Sequence, residues 1–295
     1  LTASLVHVIG ASGRSGAQLC RALSGAFVPI VRNAARWAQA GLPGRPRIAD
    51  LDDAPALRAA LQDATRIVSC AHASHTQAII AAAPPEAALV LLGSTRKFTR
   101  WPDEHGEGVV RGEVAFLASG RRGVMLHPTM IYGAAGENNV QRLAALLRWL
   151  PVIPLPGGGG ALIQPIYQDN VTAAIRAALA VAWDGPHSIV IAGPTPMAYA
   201  DFVRAIARAA GLPQPRILSV PASPLALAAA ATRFMPGVPA VEPAEIRRLL
   251  EDKAFDIAPM RQILGIEPLP LAEGLARTFA PPQNRQTIAG ERAWP

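Results

Sequence analysis

Cysteine is almost missing: Cys20 and Cys70 are the only two in 295 residues. That excludes a disulfide framework and a cysteine-rich zinc cluster. Lysine is as scarce, with Lys97 and Lys253 set against 26 arginines, so fixed positive charge is common and a titrating ammonium is rare. No uninterrupted apolar run approaches the roughly twenty residues that span a bilayer. No basic segment followed by an apolar stretch and a small-residue cleavage site opens the sequence, so a cytoplasmic protein without a transmembrane segment is expected. Basic residues never run longer than two, and the net charge of +7 is scattered, so nucleic acid is not an expected partner. His72 and His75 lack further ligands nearby, and no metal is expected. Acidic residues are absent before Asp50.

What is present can build a core. Hydrophobic side chains make up 51% of the chain and charged ones 17%, a balance that argues against disorder and allows one large core or two moderate ones. The organising stretch is the apolar run 5–9 followed by Gly10, Gly13 and Gly16, after which Leu19, Ala22 and Leu23 repeat at helical spacing. Strand, tight turn and helix in that order suit a pyrophosphate: glycines admit the backbone close to the ligand, and the helix start offers N–H donors and a positive dipole end. Ser12, Arg14 and Ser15 complete the turn. A tight strand–helix connection without a ligand is the competing reading.

Residues 26–31 read as a second strand ending at Arg32. In a dinucleotide fold this end meets the adenosine ribose, where a carboxylate suits the 2′-hydroxyl and an arginine suits a 2′-phosphate. With Arg14 and Arg32 present and no acid, NADP(H) is preferred over NAD(H). Solvated arginines are the alternative. Residues 47–52 read as a short third strand running into an acidic turn that puts Asp50 and Leu51 near the adenine, and 64–70 as a fourth followed by Ala71 and His72 over the phosphates. A fifth strand, 87–92, runs into Ser94, Thr95 and Lys97, a polar cluster at the end of a central parallel strand. A helix over 109–118 and a sixth strand over 123–126 lead to His127, Pro128, Thr129 and Met130. A helix over 139–150, a loop over 154–160, a helix capped by Asp169, strands at 188–192 and 216–220, and helices at 201–210, 243–250 and 271–279 follow. The stretch 221–239 reads as a lid, a partner-facing helix or a buried part of a substrate lobe, and the tail 281–295 is expected to be mobile.

The glycine turn, Asp50-Leu51, the Ser94 cluster, Pro128 through Tyr132-Gly133, Gln164-Pro165 through Asp169-Asn170-Val171, and Leu264-Gly265-Ile266 together resemble the extended and atypical short-chain dehydrogenase/reductases, the NAD-dependent epimerase/dehydratase group. Within it the spacing is most similar to the branch of NmrA-like proteins and the nucleotide-binding accessory subunit of respiratory complex I. The resemblance implies an α/β fold: a doubly wound, seven-stranded parallel Rossmann sheet bearing a smaller, mostly C-terminal α/β substrate lobe. The expected division is a dinucleotide-binding core over 1–150, rejoined by 161–193, and a substrate lobe mainly over 194–280.

The resemblance also sets a departure in relief. Family enzymes pair a tyrosine with a lysine four residues on, but Tyr132, Tyr167 and Tyr199 are followed at that spacing by Gly136, Val171 and Val203. If the family's lysine-x-glutamate signature falls on Arg111-Gly112-Glu113, Glu107 and Arg111 stand where the pair would be. Arg111 then holds a ribose without titrating. Ser94, Lys97 and Arg111 are the catalytic candidates, with Lys97, Tyr167 or a water as proton source; a solvent- or phosphate-facing Lys97 is the competing reading. Ser94, Thr95 and residues 127–130 form the expected nicotinamide wall, and Thr95, Asn139, Gln164 and Tyr167 are candidate substrate contacts. Three functions follow: an NADP(H)-dependent oxidoreductase, a non-catalytic NADP(H)-binding redox sensor or scaffold subunit, and a nucleotide-sugar epimerase or dehydratase. A homodimer or a protein partner is left open.

Overall fold

A computed structural model describes residues 5–23, 27–133, 139–231 and 243–280, with side chains for all of these except 228–231 and 243. Ala26, the stretch 232–239 and the tail from 281 lie outside the described residues. In chain order the elements are β1 Val6–Ile9, α1 Arg14–Ala22, β2 Phe27–Val31, α2 Ala34–Gln39, β3 Arg47–Ile48, α3 Ala54–Leu61, β4 Arg66–Ser69, α4 Thr76–Ala82, β5 Ala88–Leu92, α5 Glu104–Ala118 and β6 Gly123–Pro128. Then come β7 Ile131–Tyr132, α6 Asn139–Leu147, β8 Val152–Pro156, β9 Leu162–Ile163, β10 Ile166–Tyr167, α7 Gln168–Ala180 and β11 Pro186–Ile191. The described chain closes with β12 Met197–Ala198, α8 Tyr199–Ala209, β13 Arg216–Val220, α9 Ala222–Ala231, α10 Pro243–Arg248, α11 Ala258–Leu264 and α12 Leu271–Phe279.

The chain divides into two units. The first comprises Leu1–Thr129, Gln168–Ala192 and Asp256–Glu267, the second Met130–Tyr167, Gly193–Phe255 and Pro268–Pro295. Relative to the division expected from sequence, 130–150 and 161–167 fall in the second unit and 256–267 in the first. The last shift has a packing cause: Ile257, Met260 and Leu264 of this segment are buried, and α11 lies against α7 and β11 of the sheet.

The first unit is a seven-stranded sheet of order β11-β6-β5-β4-β1-β2-β3, parallel throughout. Such a sheet needs cover on both faces, which is why its central strands are apolar on both. Val8, Val68, Val90 and Val124 form one row across the strands; Ile9, Leu91 and Met125 belong to the next row, on the opposite face. The second face joins Leu57 and Leu61 of α3, Ile79 of α4 and Phe116 of α5 in one core. The sheet order reverses between β1 and β4, the switch point outside whose carboxyl ends an open α/β sheet places its ligands.

The second unit has its own core of Tyr132, Val140, Leu147, Ile153, Leu155, Phe202, Val203, Ile206 and Leu275. Around it stand three two-stranded sheets: β10 with β7, β12 with β9, and β13 with β8. Two sequence expectations are corrected here. The segment 154–160 is a strand followed by a single 3₁₀ turn rather than a loop. Pro154 and Pro156 disguise β8, yet it pairs with β13 alone, and an edge strand tolerates residues that cannot donate to a ladder. In the first unit, the helix starts at Gln168, so Asp169 sits inside its first turn and is not the cap.

Candidate functional site

The turn after β1 is built by close approach. Gly10 has φ +71°, and a Cβ there would stand 3.2 Å from the amide nitrogen of Ala71 and from the carbonyl carbon of Cys70, so the loops after β1 and β4 lie against each other. A Cβ on Gly16 would come within 2.2 Å of the Gly10 carbonyl oxygen. Gly13 donates to that same oxygen at 2.9 Å and serves as the N-cap of α1 without a side-chain cap. The helix start is thereby pressed onto the turn, with first-turn N–H groups that the helix itself does not use and with the positive end of its dipole. Ser12 and Ser15 are half-buried in this turn. Ser15 donates to Gln168 Oε1 at 3.4 Å, and Gln168 in turn donates to Thr172 Oγ1 at 3.3 Å. Gln168, 2% exposed, is a positioning residue that the sequence reading passed over.

On the β2 side, Arg14 and Arg32 are exposed, and no carboxylate precedes Asp50. The Asp50 carboxylate accepts from the Asp52 N–H at 3.2 Å, and Leu51 packs against the core below it. On the β4 side, Ala71 is half-buried. His72 accepts at Nδ1 from the Ser74 N–H at 3.3 Å and packs against the His105 ring at a tilt of 55°, centroids 4.2 Å apart. Burial pushes the His72 imidazole below its ordinary value, and the charges of His75, Arg111 and Arg96 push the same way, against a backbone hydrogen bond at His105. A glycine cradle at the switch point and a helix start fit a dinucleotide. Among the described residues no group of acids, histidines and cysteines could hold a metal, and Cys20 and Cys70 are free thiols.

The polar cluster after β5 holds a network that the sequence did not disclose. His127, in β6, is fully buried. Its Nδ1 accepts from the Ser94 N–H at 3.2 Å, and its Nε2 lies 3.1 Å from Glu113 Oε1. Because Nδ1 faces a donor, the ring proton belongs on Nε2, aimed at the carboxylate. Lys97 Nζ reaches both Glu113 oxygens at 2.5 and 2.7 Å, and Ser188 Oγ donates to Oε1 at 2.5 Å. Burial works against the Glu113 charge, but the hydrogen bonds from His127, Lys97 and Ser188 outweigh it and hold the carboxyl down to about 2. A Cβ on Gly93 would fall 2.4 Å from His127 Nδ1, so the ring fits only beside glycine.

These contacts revise several expected roles. Lys97 spends its ammonium on Glu113 and is largely buried, which argues against a free proton donor. His127 has both ring nitrogens engaged by protein and cannot offer them to a ligand. Arg111 is exposed and faces the equally exposed Glu107 at 3.7 Å. Ser94 caps the 3₁₀ turn 95–98 by accepting from the Arg96 N–H at 3.1 Å, and Thr95 donates to the Pro128 carbonyl at 3.3 Å. Thr129 is buried, its N–H donating to Ile191 O at 3.0 Å. Glu113 had one sequence signal: it shares a helical stripe with the buried Val109 and Phe116, where a carboxylate needs partners. Ser188 had none.

Met130, Asn139, Gln164 and Tyr167 belong to the second unit. Gln164 is 2% exposed; its amide donates to Gly193 O at 2.7 Å and accepts from the Phe255 N–H at 2.8 Å, so it ties backbone segments together. Tyr167 is buried with its ring against Tyr132, centroids 5.4 Å apart. Asn139 donates to Ile131 O at 3.2 Å, and Met130 packs partly against the unit's core.

No protein-family model matches the sequence, and no curated protein matches it either. Solved structures do. An NADPH-dependent quinone oxidoreductase from Escherichia coli, complexed with NADPH, superposes with a TM-score of 0.71 at 20% identity, over 94% of this chain and 100% of that one. UDP-glucuronic acid 4-epimerase from Bacillus cereus, in complex with UDP-glucuronic acid and NAD, gives 0.69 at 16% identity over 96% and 99%. UDP-N-acetylglucosamine 4-epimerase from the same organism gives 0.66 at 13% over 99% of each. The chain therefore has the Rossmann-type α/β fold of these proteins.

Proposed function

We propose that the chain binds a nicotinamide dinucleotide in its first unit, prefers NADP(H) to NAD(H), and acts as a reductase-like protein of the atypical short-chain type. The observation that carries this reading is the glycine turn at the β1–β4 switch point, with Arg32 exposed at the end of β2 and no acid before Asp50. Backbone of Gly10, Ser12, Gly13, Ser15 and Gly16 would hold the diphosphate, Arg14 and Arg32 a 2′-phosphate, Asp50 and Leu51 the adenosine edge, and Ala71 and His72 the side toward β4. Ser94, Pro128 and Thr129 are the first unit's candidates for the nicotinamide, which supplies or takes up a hydride when bound.

Thermal denaturation with NADPH, NADP, NADH and NAD tests this directly. A nucleotide at a hundredfold excess over its dissociation constant stabilises by about 2.7 kcal/mol in all; at equal concentrations the phosphorylated pair should stabilise more, and Arg32→Ala should erase the difference. Equal shifts from all four nucleotides would reject the 2′-phosphate assignment, and no shift from any would reject the site.

A second reading, a nucleotide-binding sensor or scaffold that does not turn over, is favoured by the clamp on Lys97. NADPH oxidation across a panel of carbonyls and quinones separates the two. Turnover that Lys97→Met abolishes would restore Lys97 as proton source, and no turnover on any substrate supports the sensor. Epimerase or dehydratase chemistry ranks third, because its base is a tyrosine and no tyrosine here has a lysine four residues on.

A further inference from the structure

Around the β8–β13 pair the second unit exposes both apolar and basic side chains. In the β8–β13 pair Val152 stands opposite Arg216, Ile153 opposite Ile217 and Pro154 opposite Leu218. Side chains alternate along a strand, so Ile153 and Leu155 enter the core with Ile217 against them, while Val152, Arg216 and Leu218 share the outer face and are exposed. The pairing extends backwards, because the Arg216 N–H donates to Pro151 O at 2.9 Å. Trp149 and Leu150 immediately precede that point; Trp149 is 74% exposed and Leu218 53%. Leu250, also exposed, lies 3.8 Å from where a Cβ of Gly157 would stand, directly after β8.

Three arginines, Arg148, Arg216 and Arg247, are exposed on the same segments, and among the described residues none of them forms an ion pair. Of the described acids nearby in sequence, Asp252 accepts from the Leu162 N–H at 2.8 Å, Glu245 pairs with Arg142 at 3.1 Å and Glu251 with Lys253 at 3.7 Å.

We propose that this face docks on an anionic lipid surface. An apolar protein partner would have to bury arginines without counter-charges, a costly arrangement. A bilayer interface accepts the same composition. Tryptophan sits at headgroup level, short apolar side chains enter the acyl boundary, and arginines reach outward to lipid phosphates. The net charge of +7 adds a longer-range attraction. No helix among the described residues is long and apolar enough to cross a membrane, so the contact is peripheral. It is independent of the nucleotide reading, because every residue involved lies in the second unit.

Flotation of the full chain with vesicles of phosphatidylcholine and phosphatidylglycerol in equal parts, against pure phosphatidylcholine, tests the proposal. The chain should float with the anionic vesicles at low salt and be released as salt rises. The double substitution Trp149→Ser with Leu218→Ser should abolish flotation, and Arg148→Gln, Arg216→Gln and Arg247→Gln should each weaken it about fivefold, with unchanged thermal midpoints. Equal binding to pure phosphatidylcholine, absence from the anionic fraction, or flotation indifferent to these substitutions would overturn it. So would a doubled mass in sedimentation without lipid that Trp149→Ser with Leu218→Ser reverses, since a second copy would then cover the face.

Discussion

Glu113 is a carboxylate drawn out of water and then surrounded by donors, a group whose worth depends on every partner being in place. Its side chain is 14% exposed and that of Lys97 11%. Removing one member of such a pair strands the other, at a cost of about 3 kcal/mol. Glu113→Gln should therefore lower stability by about that amount at neutral pH, measured by urea denaturation. The pH dependence follows from the direction of the shift. Its three donors hold the carboxyl down to about 2 in the fold, below the 4.5 of an unfolded chain, so as pH falls the unfolded chain takes up the proton first. The cluster's contribution is complete above about 4.5 and drains away between there and about 2. A wild-type stability profile should drop across that interval, and the Glu113→Gln profile should drop less. Identical slopes would show that the network holds Glu113 no more tightly than water does.

At the scale of elements, α5 shows propensity overruled by packing. Glycines at 106, 108 and 112 are poor helix formers, and they delay the start expected from sequence to residue 109; the helix runs from Glu104, capped by Asp103, which accepts from the Gly106 N–H at 2.8 Å. The glycines are there for their missing side chains. A Cβ on Gly112 would stand 2.0 Å from the Ala73 carbonyl oxygen, and one on Gly108 2.9 Å from His72, so α5 seats directly on the loop after β4. Alanine at 112 improves helix propensity by about 1 kcal/mol and overpacks the contact by about 2 kcal/mol. Gly112→Ala should consequently destabilise, by thermal melt, where propensity alone forecasts the reverse sign; a raised midpoint would show that the loop yields freely. Some limits were legible in the sequence, α12 at both ends among the helices. β5 and β13 lie within one residue of their expected bounds, because apolar runs closed by turn residues carry both ends in the sequence.

For the whole molecule, the consequential feature is that the first unit is assembled from three stretches of chain, the last of which, Asp256–Glu267, follows most of the second unit. Met260 is fully buried in that stretch. Met260→Ala should cost about 3 kcal/mol, and hydrogen exchange should report the loss in α7 and β11, against which α11 packs. Loosening confined to α8 and its neighbours would place the segment in the wrong unit. The sequence concealed this return, since Leu264-Gly265-Ile266 looks like any helix end: Gly265 takes the left-handed conformation, φ +64°, that commonly terminates a helix.

The sequence by itself determined the alternation of strand and helix, the glycine turn and the want of acid before Asp50, because each is written in neighbouring residues and enforced by local sterics, hydrogen bonding or charge. Tertiary structure alone decided the rest: that Lys97, Glu113, His127 and Ser188 converge, that Gln164 ties two backbone segments together, and that 256–267 rejoins the sheet. Those contacts join residues distant along the chain, and what fixes them is which buried charge or polar group finds a partner when the strands and helices pack, a matter of three-dimensional burial that no window of sequence contains.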